Sequence, residues 1–247
     1  MKVGSLFAGI GGLELGLERA GMEVVWQVEI DDFCNRVLEK HWPDVKRYRD
    51  MRDVGKHNLE PVDLICGGFP CQDISSSGRK VGLDGQKSGL WGEMARVVRE
   101  LRPEHVLVEN VSDLRVRGLG EVLGDLAALG YDAEWESIPA ALFGLPQRRW
   151  RVFIVAYRDL LGRQVGDQRL EVRPFTVDGV DPRRLGEAEQ HAREAAGRLR
   201  GMDDGVPGTV DRLRALGNAV VPQVAEWIGR RIAQAENHTP QLIAPTT

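Results

Sequence analysis

Apolar positions fall into two alternating rhythms along the first 157 residues. Residues 2–7 lean apolar, predict a short strand and run straight into a glycine-rich turn. Leu13 and Leu17 then stand one helical turn apart, and Gly21 supplies a stop. Residues 24–28 predict a second strand, ending at Glu29. Cys34, Val37, Leu38 and His41 mark the inward face of a helix that Asp31 or Asp32 can cap, with Pro43 beyond its end. On this reading Cys34 belongs to the core. A continuous apolar run at 62–66 predicts a buried strand. Leu90, Met94, Val97, Val98 and Leu101 keep helical spacing up to Pro103. Residues 105–108 predict another strand, and Leu119, Val122, Leu123, Leu126 and Leu129 one more helix, closed by Gly130. Further strands are predicted at 135–138 and 152–156. Strands that alternate with helices predict an α/β fold: a mixed, mostly parallel sheet with helices on both faces.

From 158 to about 210 this rhythm dissolves, apart from a possible charged helix at 186–200, and the stretch is expected to form a small module of its own. It closes in a turn-rich return at 201–208. Order resumes at 211–236, where Pro222 opens a helix with Val224, Ile228 and Ile232 along one side. Residues 237–247 carry no core pattern and are expected to fray.

Composition narrows the setting. The 247 residues are 42% hydrophobic and 28% charged, ordinary for a soluble protein. A net charge of -4 means that any nucleic-acid contact must come from local basic patches. No apolar run approaches the roughly 20 residues of a membrane helix, and no signal-peptide pattern opens the chain. Cys34, Cys66 and Cys71 form neither a disulfide framework nor a CxxC metal motif. A reducing, cytoplasmic setting without membrane or metal fits best.

Chemistry gathers at the ends of the predicted strands. The run at 62–66 ends in Gly67-Gly68-Phe69-Pro70-Cys71-Gln72, a turn that leaves Cys71 where a thiolate could reach a substrate. Taken alone, a cysteine in such a loop is more often a packing residue. Phe7-Ala8-Gly9-Ile10-Gly11-Gly12 lies between strand and helix, as in a nucleotide-binding βαβ unit. No Gly-Lys-Ser/Thr follows, so it is not a P-loop, and Glu14 fills the third glycine position of the dinucleotide fingerprint. By itself it reads either as a cofactor loop or as a tight turn. Glu29 follows at about the spacing from which an acid binds a ribose diol, or is a surface carboxylate. Asp50 could accept from an adenine amino group, or serve a turn. The long polar loop 73–89, with Arg79, Lys80 and Lys87, suits a lid that meets phosphates. Glu109 ends a strand on the edge where open α/β sheets bind ligands. Gln147, Arg149 and Arg151 alternate, so in extended backbone they share one side, as a solvated face or as a pocket wall.

In their order along the chain, these stretches resemble the cytosine-5 DNA methyltransferases of bacterial and phage type. The likeness rests on Phe7 to Gly12, Gly68-Phe69-Pro70-Cys71-Gln72, Glu109-Asn110-Val111, Gln147-Arg148-Arg149-Trp150-Arg151 and Gly217-Asn218-Ala219-Val220-Val221-Pro222, and it spans 1–157 and 210–234. It implies a class I methyltransferase (Rossmann-like) fold, with S-adenosylmethionine as methyl donor and S-adenosylhomocysteine as product. It implies that Cys71 attacks carbon 6 of cytosine, that Glu109 holds N3 and the amino group, and that Arg151, supported by Arg149, binds O2. Phe7, Gly9 and Gly11 would border the methionine end of the cofactor, Glu29 the ribose and Asp50 the adenine, with Ile30 and Met51 also among the cofactor-binding residues. Gly68, Pro70 and Leu90 would line the reacting end, and Asn218, Ala219 and Val220 would close the pocket. Gln72, Ser75, Ser77, Arg79, Lys80, Lys87 and Gln147 are expected to meet the DNA. The partner implied is double-stranded DNA with the target base flipped out, because a stacked cytosine is out of reach. A monomer is expected, with room for a partner endonuclease. One departure stands out: the target-recognition module at 158–210 is small, and its Arg-x-Leu motif is reduced at best to Arg184-Leu185.

Overall fold

The computed structural model describes residues 1–70, 89–143, 149–158 and 219–237. Seven strands form one sheet: β1 (Lys2–Leu6), β2 (Glu23–Val28), β3 (Lys46–Tyr48), β4 (Leu64–Gly67), β5 (His105–Val111), β6 (Tyr131–Pro139) and β7 (Trp150–Arg158). Their order is β3-β2-β1-β4-β5-β7-β6. The first five are parallel. β7 runs antiparallel to β5, and β6 antiparallel to β7. Chain order reverses direction between β1 and β4, and such a switch point opens a crevice at the carboxyl ends of the strands.

The helices are α1 (Gly12–Arg19), α2 (Asp32–His41), α3 (Leu90–Leu101), α4 (Leu114–Arg117), α5 (Leu119–Ala128) and α6 (Pro222–Asn237). Met94, Val97 and Val98 of α3, with Val122 and Leu126 of α5, bury one face of the sheet. Leu13 and Leu17 of α1, with Val224, Ala225, Ile228 and Ile232 of α6, bury the other. The apolar stripe read at the end of the chain therefore packs on the first helix. Asp31 caps α2 by accepting from Cys34 N at 2.9 Å, and Cys34 is buried as expected. His41 departs from expectation: it is exposed, and Trp42 turns inward in its place, its indole N–H bonded to Glu18 Oε1 at 2.8 Å. Among the described residues no helix is long and apolar enough to cross a membrane. The module expected at 158–210 lies outside the described residues, except for Arg158 at the end of β7.

Candidate active site

β1 ends in a backbone that only a few residues tolerate. Gly9 and Gly11 take left-handed φ angles of 56° and 86°, and Phe7 does so at 56° without glycine's freedom. Over Gly9 there is open space: a Cβ placed there would meet nothing within 4 Å. Gly12 is different, because its Cβ would stand 2.4 Å from the carbonyl oxygen of Val220. The segment entering α6 thus lies directly against the glycine turn at Val220.

Glu29 ties the turn to the next strand. Its Oε2 accepts from Gly9 N at 2.7 Å and its Oε1 from Asp31 N at 2.8 Å. Lone pairs remain on both oxygens for a further donor. Ile30 beside it is largely exposed, and Arg49 donates to its carbonyl at 2.7 Å. Nothing in the pattern of Arg49 announced that positioning role. Asp50 is already engaged, accepting from Arg52 N and Nε at 2.9 Å each, and its carboxyl is lowered to about 2 by hydrogen bonds from Arg52. It is the turn residue allowed by the sequence, and it stands at the same rim. The Met51 side chain points into the main core, so any contact it makes with a ligand comes from its backbone.

A few ångströms along the sheet, β4 and β5 bring the second group together. A Cβ on Gly68 would lie 2.7 Å from Glu109 Oε2, so a side chain there would displace the carboxylate from its place beside the turn. Asn110 donates from Nδ2 to Phe69 O at 2.9 Å and fixes the same turn to β5. In the sequence Asn110 stood out only as the middle residue of the Glu109-Asn110-Val111 stretch, with no sign of this tether. Phe69 anchors the turn from below against Trp91, the ring centroids 5.2 Å apart. Pro70 is exposed, and Leu90 opens α3 half-buried at the same edge.

Glu109 is only 6% exposed. Arg151 Nε lies 2.9 Å from its Oε1, an ion pair. Antiparallel pairing of β5 with β7 sets this meeting, Val111 standing opposite Arg151. Burial pushes the Glu109 carboxyl up to about 7, against the opposing pull of Arg151 and Arg149. Arg149 is half-buried, and its pKa is lowered by burial and by Arg151. The site thus holds a carboxyl able to carry a proton near neutrality, with two guanidinium groups beside it. Cys71, Gln72, Ser75, Ser77, Arg79, Lys80, Lys87, Gln147 and Asn218 lie outside the described residues. Cys71 follows Pro70 directly in the chain.

Residues 1–180 match the family model of C-5 cytosine-specific DNA methylase. The chain belongs to that family. Type II methyltransferase M2.BsuMI of Bacillus subtilis is 36% identical over 192 residues, which cover 72% of this chain and 49% of the relative. M.HhaI of Haemophilus parahaemolyticus is 33% identical over 163 residues, covering 64% and 50%. This methylase-family chain therefore spans about half the length of the curated relatives it matches. Among solved structures, a prophage-encoded E. coli protein shares the fold with a TM-score of 0.65 at 20% identity, covering 96% of this chain and 100% of its own. Spodoptera frugiperda DNMT2 does so at 0.54 and 20% identity, covering 67% and 52%.

Proposed function

We propose that this protein transfers a methyl group from S-adenosylmethionine to carbon 5 of a flipped-out cytosine in double-stranded DNA. The observation that carries the proposal is the buried Glu109 carboxyl, seated under Gly68 of the Pro-Cys turn and paired with Arg151. A cytosine ring resists attack at carbon 6 unless the charge that develops is neutralised as it forms. Protonated Glu109 can give its proton to N3 as a sulfur adds, and Arg151 can take up charge at O2. Cys71, next after Pro70, is the nucleophile in this reading. Its sulfur bonds to carbon 6, carbon 5 gains enamine character and accepts the methyl group, and loss of the carbon 5 proton then expels the thiolate.

The glycine turn fits the nucleoside donor. Open space over Gly9, the Glu29 carboxylate beneath and the exposed Ile30 edge form a cradle walled largely by backbone. Phe7, Gly9 and Gly11 would take the methionine end, Glu29 the ribose hydroxyls, and Asp50 and the backbone of Met51 the adenine. Gly68, Pro70 and Leu90 would face the reacting end, and Asn218, Ala219 and Val220 the outer wall. When bound, the donor supplies an activated methyl on a sulfonium. Gln72, Ser75, Ser77, Arg79, Lys80, Lys87 and Gln147 would contact DNA, and residues 158–210 would read the target, in a cytoplasmic monomer with a partner endonuclease as a companion activity.

Incubation with labelled S-adenosylmethionine and either DNA or RNA, followed by mapping of 5-methylcytosine, tests the proposal. Label in DNA is expected; label confined to RNA overturns the choice of substrate. Cys71→Ser is expected to abolish turnover while leaving S-adenosylhomocysteine affinity intact. DNA carrying 5-fluorocytosine should trap a covalent adduct on denaturing gels, and methylated product from the Cys71→Ser variant would overturn the mechanism.

A further inference from the structure

The turn that follows β5 has no part in the chemistry above, yet it stands at the mouth of the same site. Ser112 Oγ donates to Trp150 O at 3.1 Å, which places the turn beside the first residue of β7, one position from Arg151. Backbone bonds from Arg115 N to Ser112 O and from Arg117 N to Asp113 O, each 3.1 Å, close it. Leu114 is fully buried and pins α4 to the main core. The next three residues, Arg115, Val116 and Arg117, all face solvent.

Their chemistry is unusual for a solvated turn. Val116 is 84% exposed, the most exposed large hydrophobic side chain among the described residues. Water gains nothing from it there, whereas an apolar sugar edge would cover it. Neither flanking guanidinium makes an ion pair among the described residues; Asp113, also exposed, offsets one of the two charges. Across from them Trp150 is 45% exposed. Two guanidinium groups that make no ion pair among the described residues, set around an apolar tip on a pinned turn, match a sugar-phosphate backbone.

We propose that Arg115, Val116 and Arg117 form a rim that grips the DNA strand carrying the extruded cytosine, the arginines on phosphates and Val116 on the intervening sugar. This rests on the DNA reading above. The charge would act on affinity and register without reading sequence.

Full-length protein and the Arg115→Gln/Arg117→Gln variant, titrated onto a cytosine-containing duplex across a range of NaCl concentrations, decide it. Two lost phosphate contacts should reduce the slope of log affinity against log salt by about 1.8. Affinity should fall by roughly tenfold at low salt, with S-adenosylhomocysteine binding and the melting temperature unchanged. Val116→Ser should weaken binding with the slope unaltered. A wild type that methylates DNA, beside a double variant with the same affinity and slope, overturns the rim alone. A wild type that methylates only RNA overturns the DNA reading, and the rim as stated falls with it.

Discussion

Glu109 shows how much a single burial decides. Its carboxyl, raised to about 7 by loss of solvent, is protonated across the lower half of the physiological range and ionised above it. If the acid form is the working form, the rate of methyl transfer in single turnover should decline as pH rises through about 7. Glu109→Gln should lose that limb of the profile along with about 100-fold or more in rate, while still binding S-adenosylhomocysteine. A variant with the same falling limb would assign it to another group. The residue pattern placed Glu109 at a strand end and the family likeness joined it to Arg149 and Arg151; the structure brings it to Arg151. The pattern did not disclose Gly68 or Asn110 as the parts that hold the turn, because close approach and a single tethering hydrogen bond leave no periodic trace. Nor did it foresee Asp50 bound by Arg52, since a two-residue ion pair looks like any polar turn.

Among the helices, α1 and α6 are the most tightly joined. A Cβ on Gly16 would lie 2.4 Å from both Ala225 Cβ and Pro222 O, so the helices meet almost backbone to backbone. Gly16→Val should force them apart and lower stability by about 1–3 kcal/mol in urea denaturation. Because Val220 leads into α6 and rests on Gly12, the same change should weaken cofactor binding; full affinity in a destabilised variant would separate the two roles. The stripe on α6 was legible, but its partner was not, since the close approaches at Gly12 and Gly16 carry no hydrophobic signal. β3 escaped notice because Lys46, Arg47 and Tyr48 contain no apolar run. β6 was read four residues long instead of nine, its charged Asp132, Glu134 and Glu136 masking the pattern, as suits a strand at the edge of a sheet.

For the molecule as a whole, buried polar groups set how stability varies with pH. Ser5 pairs in register with Gln27 on one side and Cys66 on the other, and Glu14 of α1 is buried with Ser5 beside it. Among the described residues, Ser5 Oγ, both Glu14 oxygens and the Gln27 amide have no well-aligned hydrogen-bond partner. Burial pushes Glu14 to about 7, and the folded state therefore holds a proton that the unfolded chain releases from about 4.5 upward. Stability should fall as pH rises between those values, by on the order of 3 kcal/mol for a group shifted this far. Glu14→Gln should be spared that loss, gaining on wild type at pH 8 relative to pH 5 in chemical denaturation; an identical pH dependence would show that Glu14 is solvated. His105 works in the opposite sense, lowered to about 4 by burial, so protonation of the unfolded chain below about 6.5 costs stability on the acid side. The alternation of strands and helices disclosed the class of fold. The placing of β7 between β5 and β6 was not visible, because pairing order depends on long-range contacts that no local window contains.

β7 begins beside the Glu109 carboxyl and ends at Arg158, whose N–H bonds to Glu104 O at 3.1 Å before the start of β5. α6, by contrast, is entered at the glycine turn. Nine residues of strand separate those two rims, roughly 30 Å. Whatever path residues 159–218 follow, they are tethered at one end on the floor of the domain and at the other on its roof. On the proposed DNA reading, lengthening or shortening that tether should change its reach towards the double helix while leaving both moorings where they are.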